Sequence, residues 1–425
     1  MQTPKPPAPR PSALAPRLDG PSPRLYFIDW LRVLAVLLLF PFHTLRVFNA
    51  DDPFYVKADH LSAAVSYVLN FISVWHMPLL FVLAGASTWF ALGKRSPGQY
   101  LRERRIRLLV PFVFGVFVLI PPQTWFGGRF NSGYAQSFWH YIVSGDFLKW
   151  NVKDGGDYYG GFGIGHLWFI IILFLLAAIA LPLFARTRNG RGGELLRSFS
   201  RRLAHPAGWL LAAFLIFVGA ALPDPIGLKP LYYLVFFVLG YAIVCDPQFM
   251  KSAERYRLPA LSLGVGLSVW WVVAGEALRD SMPDPSLQIA ALTMAGTLAS
   301  WLVIVGVLGY GRRYLDRPSP SLAYLAEGSY PVYIIHQTVI VIAAFSIVRL
   351  AASEPLQWLT LLVVSVVCTF GLYEVVRRFR ATRFLFGMRP SRKAGAVSLE
   401  PTRSTTPVTT TTSALSAPTP RSAAR

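Results

Sequence analysis

Ten runs of apolar residues, separated by polar connections, constrain this chain more than anything else in it. They lie near 26–48, 65–92, 107–121, 164–185, 207–222, 230–245, 258–275, 287–310, 330–350 and 356–376. A helix needs about 20 apolar residues, with a range near 17–25, to cross the hydrocarbon of a bilayer. Lipid offers the backbone no hydrogen-bond partner, so a spanning run must be helical. The runs at 107–121, 207–222 and 230–245 sit at the short end. The expected fold is all-α: a polytopic integral membrane protein of about ten transmembrane helices. Composition agrees. Of 425 residues, 54% are hydrophobic and 15% charged, and the mean hydropathy is +0.45. A soluble domain carries about 25% charged residues. Polar side chains are too scarce here to coat a water-exposed globule, so the lipid bilayer is an implied partner.

The formal net charge of +20 would suggest nucleic acid in a soluble protein. Here the basic residues cluster between apolar runs, the charge bias that sets membrane topology, and no nucleic-acid partner is expected. The N-terminal arm holds Lys5, Arg10, Arg17 and Arg24. The second connection holds Lys94, Arg95, Arg102, Arg104, Arg105 and Arg107, and the fourth Arg186, Arg188, Arg191, Arg197, Arg201 and Arg202. The sixth holds Lys251, Arg255 and Arg257, the eighth Arg312, Arg313 and Arg317, and the C-terminal end Arg377, Arg378, Arg380 and Arg383. Odd-numbered connections are poorer in Lys and Arg; the seventh carries Glu276, Asp280 and Asp284 against Arg279. Ten helices with both termini cytoplasmic satisfy this alternation throughout.

Residues 1–24 are rich in Pro, Ala and Arg and read as a disordered arm; residues 389–425 read as a disordered tail rich in Thr, Ser, Pro and Arg. Residues 25–388 form the membrane domain. The first apolar run starts near Tyr26 and continues too far for the h-region of a cleavable signal peptide. Cys245 and Cys368 indicate neither a disulfide framework nor a metal site. The third connection, about 122–163, is the longest outer loop, with the strings Trp125-Phe126-Gly127-Gly128 and Tyr158-Tyr159-Gly160-Gly161. Its aromatic faces suit the C–H faces of sugar rings, and they equally suit an interfacial belt.

Ionisable groups inside a span are expensive and are functional candidates by default. The first run opens Tyr26-Phe27-Ile28-Asp29-Trp30-Leu31-Arg32 and ends Pro41-Phe42-His43. Asp29 and Arg32 share a helix face and can neutralise each other, either at a functional site or as a snorkelling pair at the interface. Arg32 and His43 lie on nearly one face, about 16 Å apart along the axis. Pro41 is placed to kink the helix and open space at His43. His76, His166 and His336 are also embedded. Each is open to a structural reading, as is His43. His336 is expected one to two turns into the ninth span from the cytoplasmic side. No two histidines show metal-ligand spacing on one helix, so no metal is expected. Arg102, Arg104, Arg105 and Arg107 form a topogenic cluster ahead of the third run that would also clamp phosphate bidentately.

The string Asp29-Trp30-Leu31-Arg32, followed by ten residues and then His43, resembles the acyltransferase 3 family of polytopic O-acyltransferases. That family has an Arg or Lys, ten residues and a His in its first helix. It also has an Arg-x-x-Arg pair before its third helix, matched here by Arg102 with Arg105 and by Arg104 with Arg107. Phe40-Pro41-Phe42-His43, His166-Leu167-Trp168-Phe169, Tyr333 to His336 and Tyr373-Glu374 are most similar to a branch thought to succinylate periplasmic glucans. The family's Ser-Gly pair in helix two stands here as Ala84-Gly85, and Gly165 stands where a Ser is expected before His166.

The resemblance implies an O-acyltransferase, transferring groups other than aminoacyl groups, in the inner (plasma) membrane. An acetyl or succinyl group would pass from cytoplasmic acyl-CoA, a co-substrate rather than a tightly bound cofactor, to a hydroxyl of an envelope or exported glycan. His43 would be the base, supported by Arg32 and Asp29; Arg102, Arg104, Arg105 and Arg107 would hold the donor's phosphates. His76, His166, Trp168, Tyr333, His336 and Glu374 stand as substrate or structural candidates. A secondary transporter of a small anionic or sugar-like solute is the alternative. It should show repeat symmetry between halves, and residues 26–222 and 230–376 show no convincing repeat. A non-catalytic membrane scaffold is the third reading.

Overall fold

A computed structural model describes residues 25–149, 156–224, 227–281 and 286–390. The arm at 1–24 and the tail beyond residue 390 lie outside them, as do Asp284 and the side chains of Glu276, Arg279 and Asp280. Among the described residues no strand forms; one isolated bridge joins Asn49 and Ser62. The described residues are mostly helical: α1 (Tyr26–Leu45), α2 (Ala63–Leu92), α3 (Pro97–Asn131), α4 (Phe138–Val143), α5 (Gly165–Arg186), α6 (Gly190–Leu203), α7 (Pro206–Ala221), α8 (Pro230–Ile243), α9 (Pro247–Arg255), α10 (Arg257–Asp280), α11 (Leu287–Leu315), α12 (Pro320–Ile347), α13 (Glu354–Val376) and α14 (Arg380–Leu385). Among the described residues, eight helices are long and apolar enough to span a membrane. The count reaches ten if the bent pairs α6–α7, at 109°, and α8–α9, at 102°, are each one span. This is a polytopic all-α membrane protein.

Ion pairs and hydrogen bonds gather the basic connections at one end. Phe27 N donates to Asp316 at 3.4 Å, and Arg188 reaches the Trp89 carbonyl at 3.2 Å. Arg201 pairs with Asp246 at 3.3 Å, Arg312 with Glu254 at 3.0 Å and Arg383 with Glu327 at 2.7 Å. The start of α1, the second, fourth, sixth and eighth connections and α14 therefore share one face. At the other end Tyr55 bonds Asp157 at 2.5 Å, Arg349 lies 5.9 Å over the Phe130 ring, and Trp358 donates to Thr44 at 3.1 Å. That end joins the first, third and ninth connections.

Two deviations from ideal helix shape the interior. The α1 ladder is interrupted at Leu38, because Pro41 has no N–H to offer the Leu37 carbonyl. In α3, π-helical turns at Arg105–Leu109 and Gly115–Leu119 take up the misfit around Pro111, Pro121 and Pro122. This corrects the reading of 107–121 as a short run. A 35-residue helix continues beyond the prolines, with Gln123 and Thr124 buried.

Glycine sets how closely some elements meet. A Cβ on Gly85 would stand 2.0 Å from the Phe237 carbonyl, and one on Gly240 2.1 Å from the Val82 carbonyl, so α2 and α8 pack backbone to backbone. The two aromatic-Gly-Gly strings meet each other: a Cβ on Gly127 would lie 2.4 Å from the Tyr158 carbonyl, and one on Gly128 3.1 Å from Gly160 Cα.

Candidate active site

His43 lies at the end of α1 remote from the basic face. Its ring centroid is 5.1 Å from that of His336 on α12. His336 is in turn 5.2 Å from His166, at the start of α5. Three spans thus deliver three imidazoles to one place. Helix α12 begins at Pro320, ten residues before the apolar run; its first turns carry Glu327 and other polar residues, which kept them out of that run. His336 is therefore about 24 Å along the helix from Pro320, at 1.5 Å per residue, much deeper than one to two turns.

Hydrogen bonds fix two of the tautomers. A carbonyl can only accept, so the ring nitrogen facing it carries the proton. His336 Nδ1–H donates to the Tyr333 carbonyl at 2.6 Å, leaving Nε2 as a lone pair. His166 Nε2–H donates to the Ile334 carbonyl at 3.0 Å, leaving Nδ1 as a lone pair. Tyr333 returns a bond from its hydroxyl to the His166 carbonyl, which locks α5 to α12. Both bare nitrogens are buried without a partner, as is His43 Nδ1. A buried unsatisfied acceptor costs about 1–3 kcal/mol. The bare nitrogens of His166 and His336 therefore call for a hydrogen donor, which a hydroxyl or a neighbouring imidazole N–H supplies.

His76 has a different task. Its Nε2 donates to the Ala35 carbonyl at 2.7 Å, three residues before the interruption at Leu38, and its ring meets Phe42 at 6.2 Å. It ties α2 to α1. Trp168 packs against Tyr233 at 5.5 Å and Phe81 at 6.5 Å. Glu374 sits at the basic end, accepting from Tyr324 at 2.7 Å and Arg377 at 3.1 Å. The structure brings His43, His166, Tyr333 and His336 together; it leaves Trp168 to packing and Glu374 to the basic face. Among the described residues no group of three or more His, Cys, Asp or Glu is arranged to hold a metal ion.

A cover closes His43 from the far end. The Phe54 ring stacks on His43, centroids 6.4 Å apart and planes at 19°; Arg46 lies 5.4 Å over Phe54. Tyr158 packs against Phe54 and Tyr55 at 6.0 and 4.8 Å. Asn131 Nδ2 donates to the Tyr158 carbonyl at 2.8 Å and the Phe54 carbonyl at 3.1 Å. Lys57 Nζ donates to Asn49 Oδ1 at 2.8 Å, to the Arg46 and Asp52 carbonyls at 3.1 Å each, and to the Asn49 carbonyl. Burial, with the Arg46 guanidinium, pulls the Lys57 ammonium down to about 8. Burial lifts the Asp157 carboxyl above the ordinary carboxylate range.

Toward the basic face, Arg32 pairs with Asp29 at 3.1 Å and donates to Ser87 at 2.6 Å. Within the arginine cluster, Arg102 and Arg105 are exposed, whereas Arg104 and Arg107 are half-buried. Arg104 lies 5.1 Å over Tyr100, and Arg107 pairs with Glu103 at 3.3 Å. Tyr330, which sequence reasoning missed, is within electrostatic reach of both inner arginines, and its hydroxyl is buried without a partner. Its ring lies parallel to Tyr333, centroids 6.5 Å apart. Tyr330, Tyr333 and His336, three residues apart in turn, form one stripe of α12 running from the arginines to the histidines. That spacing was the signal available in sequence. Gln123 and Gln337 were missed too: Gln337 Nε2 donates to Gln123 Oε1 at 3.1 Å, and Gln123 Nε2 to Thr338 at 2.8 Å.

A family model described as an acyltransferase domain matches residues 25–374. The chain is similar to glucans biosynthesis protein C of Escherichia coli O6:K15:H31 (strain 536 / UPEC), at 22% identity over 386 residues, covering 87% of this chain and 96% of the relative. The protein of the same name from Escherichia coli strain K12 gives the same identity and coverage. No solved structure matches the chain.

Proposed function

This chain belongs to the acyltransferase domain family and is a membrane O-acyltransferase, and on that premise we propose that it acylates a hydroxyl of an envelope or exported glycan from acyl-CoA. The donor, carrying an acetyl or succinyl group, binds at the basic, cytoplasmic face of the inner membrane. Its phosphates engage the arginines in the first turns of α3, and its acyl arm follows the Tyr330–Tyr333 stripe. The acceptor enters from the opposite face, past Phe54. The relatives' name, which refers to glucans, supports a carbohydrate acceptor.

The observation that carries this reading is the set of covered, unpartnered imidazole nitrogens at His43, His166 and His336. A sugar hydroxyl is a poor nucleophile at neutral pH and needs a positioned base. His43 takes the hydroxyl proton as the oxygen attacks the thioester carbonyl. The carbon–sulfur bond then breaks, and the departing thiolate takes the proton back. The products are an ester and free coenzyme A. A transporter has no use for a family-wide acyltransferase domain covering residues 25–374. Mass spectrometry of envelope glycans from cells with and without this protein tests the reading. An acyl ester mass present only with the protein is expected; identical glycan spectra would overturn it.

A further inference from the structure

We infer that His336 is a positioning residue for His43: its bare Nε2 accepts a hydrogen bond from His43 Nδ1–H and so makes Nε2 of His43 the working base. This deepens the acyltransferase reading and rests on it. Imidazole has two nitrogens, and only one can be the base in a neutral ring. Something must choose between them. His336 is placed to do so, because its Nδ1–H is committed to the Tyr333 carbonyl and its Nε2 can only accept. His43 Nδ1 is the covered, unpartnered atom of its ring, while the residue as a whole is only half-buried. The rings stand 5.1 Å apart at 51°, beyond a hydrogen bond as they lie. A rotation of the His43 ring about its side-chain bonds closes that gap in the free protein.

The arrangement does the work of the carboxylate in a Ser-His-Asp triad, which holds one tautomer and steadies the imidazolium. A neutral acceptor suits this depth better, since a buried carboxylate inside a span is costly. The titratable groups facing the pair are His166 from α5, His76 from α2 and Arg46 from the end of α1. His166 supports His336 rather than His43: its ring abuts His336 at 5.2 Å, and Tyr333 bonds its carbonyl. In the reaction, the acceptor proton moves to His43 Nε2. The Nδ1 proton stays on His43, shared with His336, and the Nε2 proton leaves with the coenzyme A thiolate.

The tautomer is read directly by nitrogen-15 NMR of histidine-labelled protein in nanodiscs, which needs neither donor nor acceptor. His43 protonated on Nδ1 in the wild type, and shifted toward Nε2–H in His336→Phe, is expected. Nε2–H in the wild type, or no change in His336→Phe, would overturn the inference while leaving the acyltransferase reading intact. Kinetics with acetyl-CoA and succinyl-CoA and extracted envelope glycan give the second arm. His336→Gln keeps an acceptor oxygen, so its kcat should fall about tenfold with the pH profile unmoved. His336→Phe should lose about 1,000-fold in kcat with the acyl-CoA KM within about twofold, between the usual effect of a base and that of a lost triad carboxylate. A Gln variant as inactive as Phe would make His336 itself the proton carrier and overturn the positioning role.

Discussion

The phenol of Tyr55 donates to the carboxyl of Asp157 at 2.5 Å, joining two connections 102 residues apart. Tyr55 directly follows Phe54, whose ring stacks on His43. Asp157 directly precedes Tyr158, which packs on both Phe54 and Tyr55. One hydrogen bond thus fastens the cover over His43.

Removing that fastening should loosen the cover. Asp157→Ala leaves the buried Tyr55 hydroxyl without its acceptor, a loss of about 1–3 kcal/mol. Water then reaches His43, and acyl-CoA hydrolysis without acceptor should rise relative to transfer. Free thiol released per ester formed is the measure; an unchanged ratio would mean that Phe54 holds its place without Asp157. The same residue predicts a pH effect. Burial raises the folded value of Asp157 above its unfolded one. Its contribution is therefore fully present below the unfolded value, about 3.9, and is lost as pH rises through the folded one. Asp157→Asn removes this titration. The wild-type Tm should fall relative to Asp157→Asn as pH is raised from about 4 toward neutrality, and parallel Tm curves would contradict the assignment.

Donor binding should separate the four arginines. Arg104 and Arg107 are half-buried within electrostatic reach of Tyr330, while Arg102 and Arg105 are exposed. The double variant of Arg104 and Arg107 to Ala should weaken acyl-CoA binding by about 1.5–3 kcal/mol per charged hydrogen bond lost. The corresponding variant of Arg102 and Arg105 should change it little. Isothermal titration with purified protein decides, and equal losses in both pairs would make the cluster a diffuse attraction rather than a clamp.

Topology is testable without any substrate. Reporter fusions after residue 95, after 190 and at 390 should report cytoplasm, and one near 150 should report the opposite side. The contacts between Arg188 and Trp89, and between Arg383 and Glu327, place three of those points at one end. A cytoplasmic signal at 150 would break the ten-span arrangement.

The spans were legible because their length and the alternation of basic connections are one-dimensional signals. The Asp29–Arg32 pair was legible because three residues along a helix share a face. His43 stood out as an imidazole at the end of that stripe. Convergence was not legible: His43, His166 and His336 come from three spans, and only packing brings them together. The extent of α3 was hidden because Pro121 and Pro122 read as an end, whereas π-turns carry the helix past them. Tyr330 was readable from its spacing to Tyr333 and His336, but a tyrosine in an apolar run attracts no notice until its hydroxyl is seen to lack a partner.

The His43 substitution decides the mechanism. A general base contributes about 100- to 10,000-fold to rate, so its loss should lower kcat by that range while the protein still inserts. A packing histidine would behave in the opposite way, with fewer folded molecules and unchanged activity in each. Gln separates the two better than Ala: it keeps size and hydrogen bonding but cannot take a proton at neutral pH. His76 supplies the contrast, since its bond to the Ala35 carbonyl is one that a Gln amide can also donate. His76→Gln should therefore retain specific activity and lose some stability. Glycan acylation is normalised to monodisperse protein extracted in detergent. His43→Gln should then be nearly inactive at normal abundance; near-normal specific activity would sink the proposed base, and the tautomer control by His336 with it.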